Sequence, residues 1–137
     1  MAGFLETLRE RIVVFDGATG TNLQLRDLSA DDFGGPDLEG CNEILVATRP
    51  DVIADLHASF FAVGCDAVET DTFGAFPLVL TEYGVPERTF ELNETAARIA
   101  KETAYDFSTP DRPRWVVGSI GPGTRLPSLG QIPFTEL

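Results

Sequence analysis

Residues 15–24 read FDGATGTNLQ, and the six positions Asp16, Gly17, Ala18, Thr19, Gly20 and Thr21 hold one acid, two glycines and two threonines. Glycines open backbone conformations closed to other residues and let a ligand come close, hydroxyls donate and accept, and the N–H groups of such a turn can point together at an anion. The chemistry implied is capture of a carboxylate or a phosphate, although a tight turn without any ligand uses the same residue types. The spacing is neither that of a dinucleotide turn nor that of a nucleoside-triphosphate loop. A second polar group, Thr70, Asp71 and Thr72, follows Glu69, and a third runs from Ser119 through Gly121 to Gly123. The two-residue period of an extended chain puts Glu69 and Asp71 on one side, where carboxylates suit either an ammonium group or the backbone donors of a neighbouring loop.

Each cluster stands just beyond a stretch with strand character. Residues 11–15 (RIVVF), 66–70 (DAVET) and 114–117 (RWVV) are short and rich in β-branched or apolar residues, and each predicts a buried strand. Between the first two, residues 17–47 carry Gly34, Gly35 and Pro36 without a sustained period. This predicts a long irregular excursion with at most a turn or two of helix. Thr48-Arg49-Pro50-Asp51 offers a capping hydroxyl and a first-turn proline, and Val52, Ile53, Leu56, Phe60 and Val63 continue at helical spacing until Gly64. Residues 86–107 predict a second long helix, with Leu92, Ala96, Ile99 and Thr103 along one side. The order β, α, β, α, β implies parallel pairing through right-handed crossovers, in an open doubly wound sheet or in part of a (β/α)8 barrel. In either, the carboxyl ends of the strands share one face, so the three clusters are expected to meet there.

The chain has 137 residues, 43% of them hydrophobic, consistent with one domain over residues 1–137. A formal charge of −12 would repel phosphate backbones and anionic lipid surfaces, which argues against nucleic acid and membrane partners. No signal-like start and no apolar run long enough for a membrane span is present, and a cytoplasmic location is expected. Cys41 and Cys65 are too few for a disulfide framework and are expected reduced. Cys65 falls at the start of the second strand, Cys41 in the long excursion within reach of the site face, and His57 beside the apolar stripe of the first helix, on the outer layer. Together they do not make the three or four ligands that zinc needs.

The segments FDGATGTNLQ, GCNEILVATRPDVI, AVGCDAVETDTFGA, ELNETAARIAKE and RWVVGSIGPGTRLPSLG together resemble the amino-terminal homocysteine-binding domain of cobalamin-dependent methionine synthases, over about residues 13–137. That resemblance implies a (β/α)8 barrel of which this chain supplies the first three βα units, since a whole barrel has eight strands and about 250 residues. It implies transfer of a methyl group from methylcobalamin to the homocysteine thiol, with zinc activating the thiol through ligands from later strands, including a Gly-Gly-Cys-Cys segment that this sequence lacks. By resemblance, the loop from Asp16 through Gly17, Ala18, Thr19 and Gly20 to Thr21 binds the amino-acid end of homocysteine. Glu69, Asp71 and Thr72 line the same mouth, and Ser119 lies on its rim. The family usually has asparagine where this chain has Asp71, which replaces a donor with an acceptor. The remaining barrel strands and the methyl-donor and cobalamin domains are the implied partners, and the 137-residue chain alone is expected to be inactive and aggregation-prone. Two alternatives stand beside this reading: a non-catalytic amino-acid-binding or complementation module, and a methyl donor that is betaine or S-methylmethionine.

Overall fold

The computed structural model describes residues 3–136; the ends of the expected 1–137 unit, residues 1–2 and Leu137, lie outside the described residues. Strands β1 (Ala67–Glu69) and β2 (Trp115–Val117) pair in parallel, with Ala67 opposite Trp115 and Glu69 opposite Val117. Flanking backbone bonds extend the ladder, from Trp115 N–H to Asp66 O and from Thr70 N–H to Val117 O, both 2.9 Å. The expected first strand is reduced to a single parallel bridge between Phe15 and Ala67. Val14 O accepts from the N–H groups of Asp66 (2.7 Å) and Ala67 (3.2 Å), and Asp16 N–H donates to Ala67 O. The segment has no strand neighbour on its other edge among the described residues, and Ile12 is 84% exposed and Val14 51%.

Among the described residues six α-helices surround these segments: α1 (Phe4–Glu10), α2 (Thr19–Gln24), α3 (Leu45–Thr48), α4 (Pro50–Ala62), α5 (Pro77–Leu80) and α6 (Thr89–Phe107). Helices α4 and α6 pack on each other and on β1, and Val68 and Val116 point at them into a cluster with Phe61, Ala100 and Ala104. On the opposite face Phe4 of α1 lies edge-on to Phe15 and Trp115, with ring centroids 6.3 and 5.6 Å away.

Three local expectations change. Helix α4 starts at Pro50 after an uncapped Arg49, because Thr48 ends α3 and its hydroxyl donates to Ile44 O at 3.2 Å. Its stripe buries Val52, Ile53 and Leu56, but α4 stops at Ala62, which leaves Val63 82% exposed before Gly64 turns the chain at φ +108°. Residues 86–88 form a 3₁₀ turn, so the second long helix starts at Thr89; Leu92, Ala96, Ile99 and Thr103 are all buried on it. The long excursion holds more helix than the expected turn or two, with 3₁₀ turns at Pro36–Leu38 and Asn42–Ile44 between α2 and α3, and it is packed: Leu23, Phe33, Cys41, Ile44, Leu45 and Val46 enter one core with Val52, Ile53, Leu56, Leu92, Ala96 and Ile99.

The amino-terminal ends of the strands are held by Asp66, which is 2% exposed. Its carboxylate accepts from Arg11 at 2.7 and 2.9 Å and from Val14 N–H at 3.0 Å, and Arg112 and Arg114 stand 3.8 Å away. The Arg11 hydrogen bonds hold this carboxyl below the usual carboxylate range despite its burial.

His57 lies on α4, in the helical layer where its position places it, but it is 1% exposed there, with both ring nitrogens enclosed and unpartnered. Burial alone pushes its pKa down to about 4. As pH falls below the unfolded value of about 6.5, the unfolded chain takes up a proton that the folded chain refuses, so stability declines between about pH 6.5 and 4. A shift of that size corresponds to roughly 3 kcal/mol over the whole window. His57→Leu is expected to flatten this part of the stability profile, measured as urea midpoint against pH; an unchanged slope would refute the assignment.

Candidate functional site

Beyond the carboxyl ends of β1 and β2 the chain encloses a cavity of about 390 Å³. Asp16, Gly17, Ala18, Thr19 and Gly20 form one side; Glu69, Thr70, Asp71 and Phe73 come from the end of β1, and Ser119 follows β2. All three polar clusters therefore contribute to one cavity. Thr21 lies outside it on α2, and Thr72 lines an adjoining cavity that shares Ser119. Asn42 and Glu43 close the remaining side. Their only sequence signal is the segment GCNE within the excursion, whose irregular spacing hides which residues turn inward.

Hydroxyl groups tie the two strand ends together. Thr72 Oγ1 donates to Ser119 O at 2.8 Å and stands 2.6 Å from Thr70 Oγ1, which accepts from Ser119 N–H at 3.2 Å. Because the Thr72 hydrogen is committed to the carbonyl, Thr70 is the donor between the two threonines. Ser119 Oγ also donates to Glu69 Oε2 at 3.1 Å. Asp16 is half-buried and receives Glu69 N–H at 3.1 Å from each oxygen. Burial pushes its pKa up to about 6, with the Glu69 N–H opposing the rise and the Glu69 charge adding to it.

The loop glycines are not conformationally required, contrary to the sequence expectation, because neither Gly17 nor Gly20 has a positive φ. A Cβ at Gly17 would sit 3.7 Å from the Phe60 ring, and one at Gly20 would sit 3.5 Å from Asn42 Nδ2, both ordinary contacts. What glycine leaves open is space beside the backbone, at the start of a helix whose first N–H groups lack intrahelical acceptors.

Asp71 is 5% exposed, and its Oδ2 is enclosed without a partner. Burial, reinforced by the charge of Glu43, pushes its pKa up to about 8. Glu43 Oε1 accepts from Gly74 N–H at 2.8 Å, and Glu43 Oε2 faces the Cys41 thiol at 3.9 Å. Burial and Glu43 push that thiol up to about 11, so it remains protonated. Cys65 is buried at the opposite end, donating to Phe15 O at 3.3 Å. These residues do not fit a zinc centre: the two free thiols are separated, His57 is sealed in the core, and no group of three or more His, Cys, Asp or Glu placed to hold a metal occurs among the described residues. No helix among them is long and apolar enough to cross a membrane.

Fold and cavity define a parallel α/β unit with a polar cavity at the carboxyl ends of its strands. The family model for homocysteine S-methyltransferase matches residues 13–137, and the chain belongs to that family of methyltransferases. It is 48% identical over 133 residues to methionine synthase of Mycobacterium tuberculosis (strain ATCC 25618 / H37Rv), a match covering 97% of this chain and 11% of that protein. Against methionine synthase of Mycobacterium leprae (strain TN) the identity is 48% over 130 residues, covering 95% of this chain and 11% of the relative. The chain thus spans 11% of the length of the methionine synthases it matches. Among solved structures, the metallated form of homocysteine methyltransferase MmuM from Escherichia coli shares the fold with a TM-score of 0.66 at 22% identity, over 85% of this chain and 40% of that one. Its oxidised form gives 0.66 at 23% identity, over 83% and 39%.

Proposed function

We propose that this chain is the homocysteine-binding portion of a methionine synthase and forms the first three βα units of a (β/α)8 barrel. The observation that carries this reading is the convergence of three strand-end clusters on one cavity in a chain of the homocysteine S-methyltransferase family. In this reading the backbone N–H groups of residues 17–20 face the substrate carboxylate, and Glu69, held by Ser119, faces its ammonium group. Asp16 fixes the loop to β1 through Glu69 N–H, while Thr21 and Thr72 support the rim from outside the cavity. The remaining strands of the barrel are its partners, and exposed Ile12, Val14 and Ile120 are surface that they would cover. Zinc and methylcobalamin belong to the complete enzyme, and the metal ligands come from outside this chain. The two free thiols suit a cytoplasmic setting.

Titration calorimetry of the full-length protein with L-homocysteine tests the reading. Saturable binding together with methyl transfer from methylcobalamin is the expected result, and no detectable binding overturns it. A second reading, a non-catalytic amino-acid-binding or complementation module, would be selected by binding without transfer from methylcobalamin, betaine or S-methylmethionine. Transfer from betaine or S-methylmethionine alone would keep the enzyme and change its donor.

A further inference from the structure

Four carboxyl groups line the cavity, those of Asp16, Glu43, Glu69 and Asp71, and no lysine, arginine or histidine stands among its lining residues. Three of the four have donors. Asp16 receives Glu69 N–H on both oxygens, Glu43 receives Gly74 N–H and faces the Cys41 thiol, and Glu69 receives the Ser119 hydroxyl. Asp71 is the exception, 5% exposed with Oδ2 enclosed and unpartnered. An ionised carboxylate in that position would be buried without compensation and beside the charge of Glu43, and a group so placed keeps its proton instead.

We propose that Asp71 serves the cavity as a neutral acid that donates a hydrogen bond through Oδ1, the oxygen that is not enclosed, to the anionic end of the bound amino acid, which makes it a specificity residue for that end. The inference rests on the amino-acid-binding reading given above. A protonated carboxyl both donates and accepts, whereas a wall of four ionised acids would only repel a carboxylate. The position of its titration, about 8, places the change within reach of experiment. Glu43 and Cys41 face Asp71 from the turn before α3, and Cys41 stays a thiol there. Asp16 and Glu69 are the other titratable groups lining the cavity, and no lining cation opposes the retention of the proton.

The test compares the full-length wild type with Asp71→Asn, whose amide donates at every pH. L-homocysteine affinities are measured by calorimetry between about pH 6 and about pH 9, and the ratio of the two proteins at each pH cancels the ligand's own titration. One unit above its titration about a tenth of Asp71 keeps its proton, so the wild type is expected to weaken about tenfold relative to Asp71→Asn by pH 9 while matching it near pH 6. A constant ratio, or an Asp71→Asn variant that is weaker throughout as an ionised ammonium-binding Asp71 would make it, overturns the proposal. The wild type alone supplies a second readout. Infrared spectra without ligand are expected to show a protonated-carboxyl band that disappears near about pH 8, apart from one that leaves near 6 with Asp16; no such band near 8 overturns the proposal as well. Failure of both proteins to bind homocysteine overturns the amino-acid reading and this inference together, whereas binding with a flat ratio overturns this inference only.

Discussion

Asp66→Ala is expected to cost about 3 kcal/mol of stability in the domain that carries this chain, the lower part of the range for breaking a buried charge pair. The carboxylate is 2% exposed and joins three separate pieces of chain: it accepts from Arg11 and Val14 N–H, and Arg112 and Arg114 stand 3.8 Å away. Arg11 and Arg112 can return to water after its removal, since their side chains are 42% and 51% exposed. Arg114 cannot, at 7% exposure, although it keeps a bond to the Cys65 carbonyl and its place over the Phe61 ring, 5.7 Å from the centroid. The Val14 N–H loses its acceptor, so the bridge between Phe15 and Ala67 is expected to loosen first. Asp66→Asn keeps an acceptor and should lose less. The folded pKa of Asp66 is depressed, so its contribution is present above the unfolded value of about 3.9 and disappears as pH falls through the lower folded value. Urea denaturation near neutral pH measures the difference, and a loss under about 1 kcal/mol, typical of an exposed pair, would show that the cluster does not hold the strand ends.

Gly20→Val should weaken homocysteine binding by roughly 100-fold in the full-length protein, the equivalent of losing two charge-assisted hydrogen bonds from backbone N–H groups. Folding should tolerate the change. Gly20 lies in α2 without a positive φ, a Cβ there meets only Asn42 Nδ2 at 3.5 Å, and valine is no worse than glycine in a helix. The valine methyl groups instead occupy the cavity between the loop and Asn42, where a substrate carboxylate would approach the backbone. Calorimetry gives the affinity, while the melting temperature and zinc content should stay as in the wild type. Unchanged affinity with an intact fold would remove the loop from the binding site.

The alternation of strands and helices was legible in the sequence from short-range periodicity, and the meeting of the polar clusters from the rule that parallel strands place their carboxyl ends on one face. Residues 66–70 and 114–117 read as strands and are paired around β1 and β2, since each has its neighbour within the chain. Residues 11–15 carry the same β-branched signal, but ladder length depends on partners that local pattern does not reveal, and only Phe15 forms a bridge. The excursion was the least legible part. Leu23, Phe33, Cys41 and Ile44 come from separate turns and share no period, yet they reach one core. The same irregularity hid Asn42 and Glu43, and with Glu43 the environment that makes Asp71 unusual. His57 sat at a readable position beside the apolar stripe, but its complete burial depends on how α4 packs against α6, which helical spacing alone does not fix.

The bonds from Thr72 to Ser119, from Ser119 to Thr70 and from Ser119 to Glu69 fasten two strand tips that are about fifty positions apart in the chain, with Asp71 between the two threonines. On the binding reading, a visiting molecule would meet a jaw already set, with little side-chain freedom left there for it to freeze. No side-chain bond links residues 17–20 to that jaw among the described residues, so any yielding needed for entry falls to the glycine-containing lip opposite.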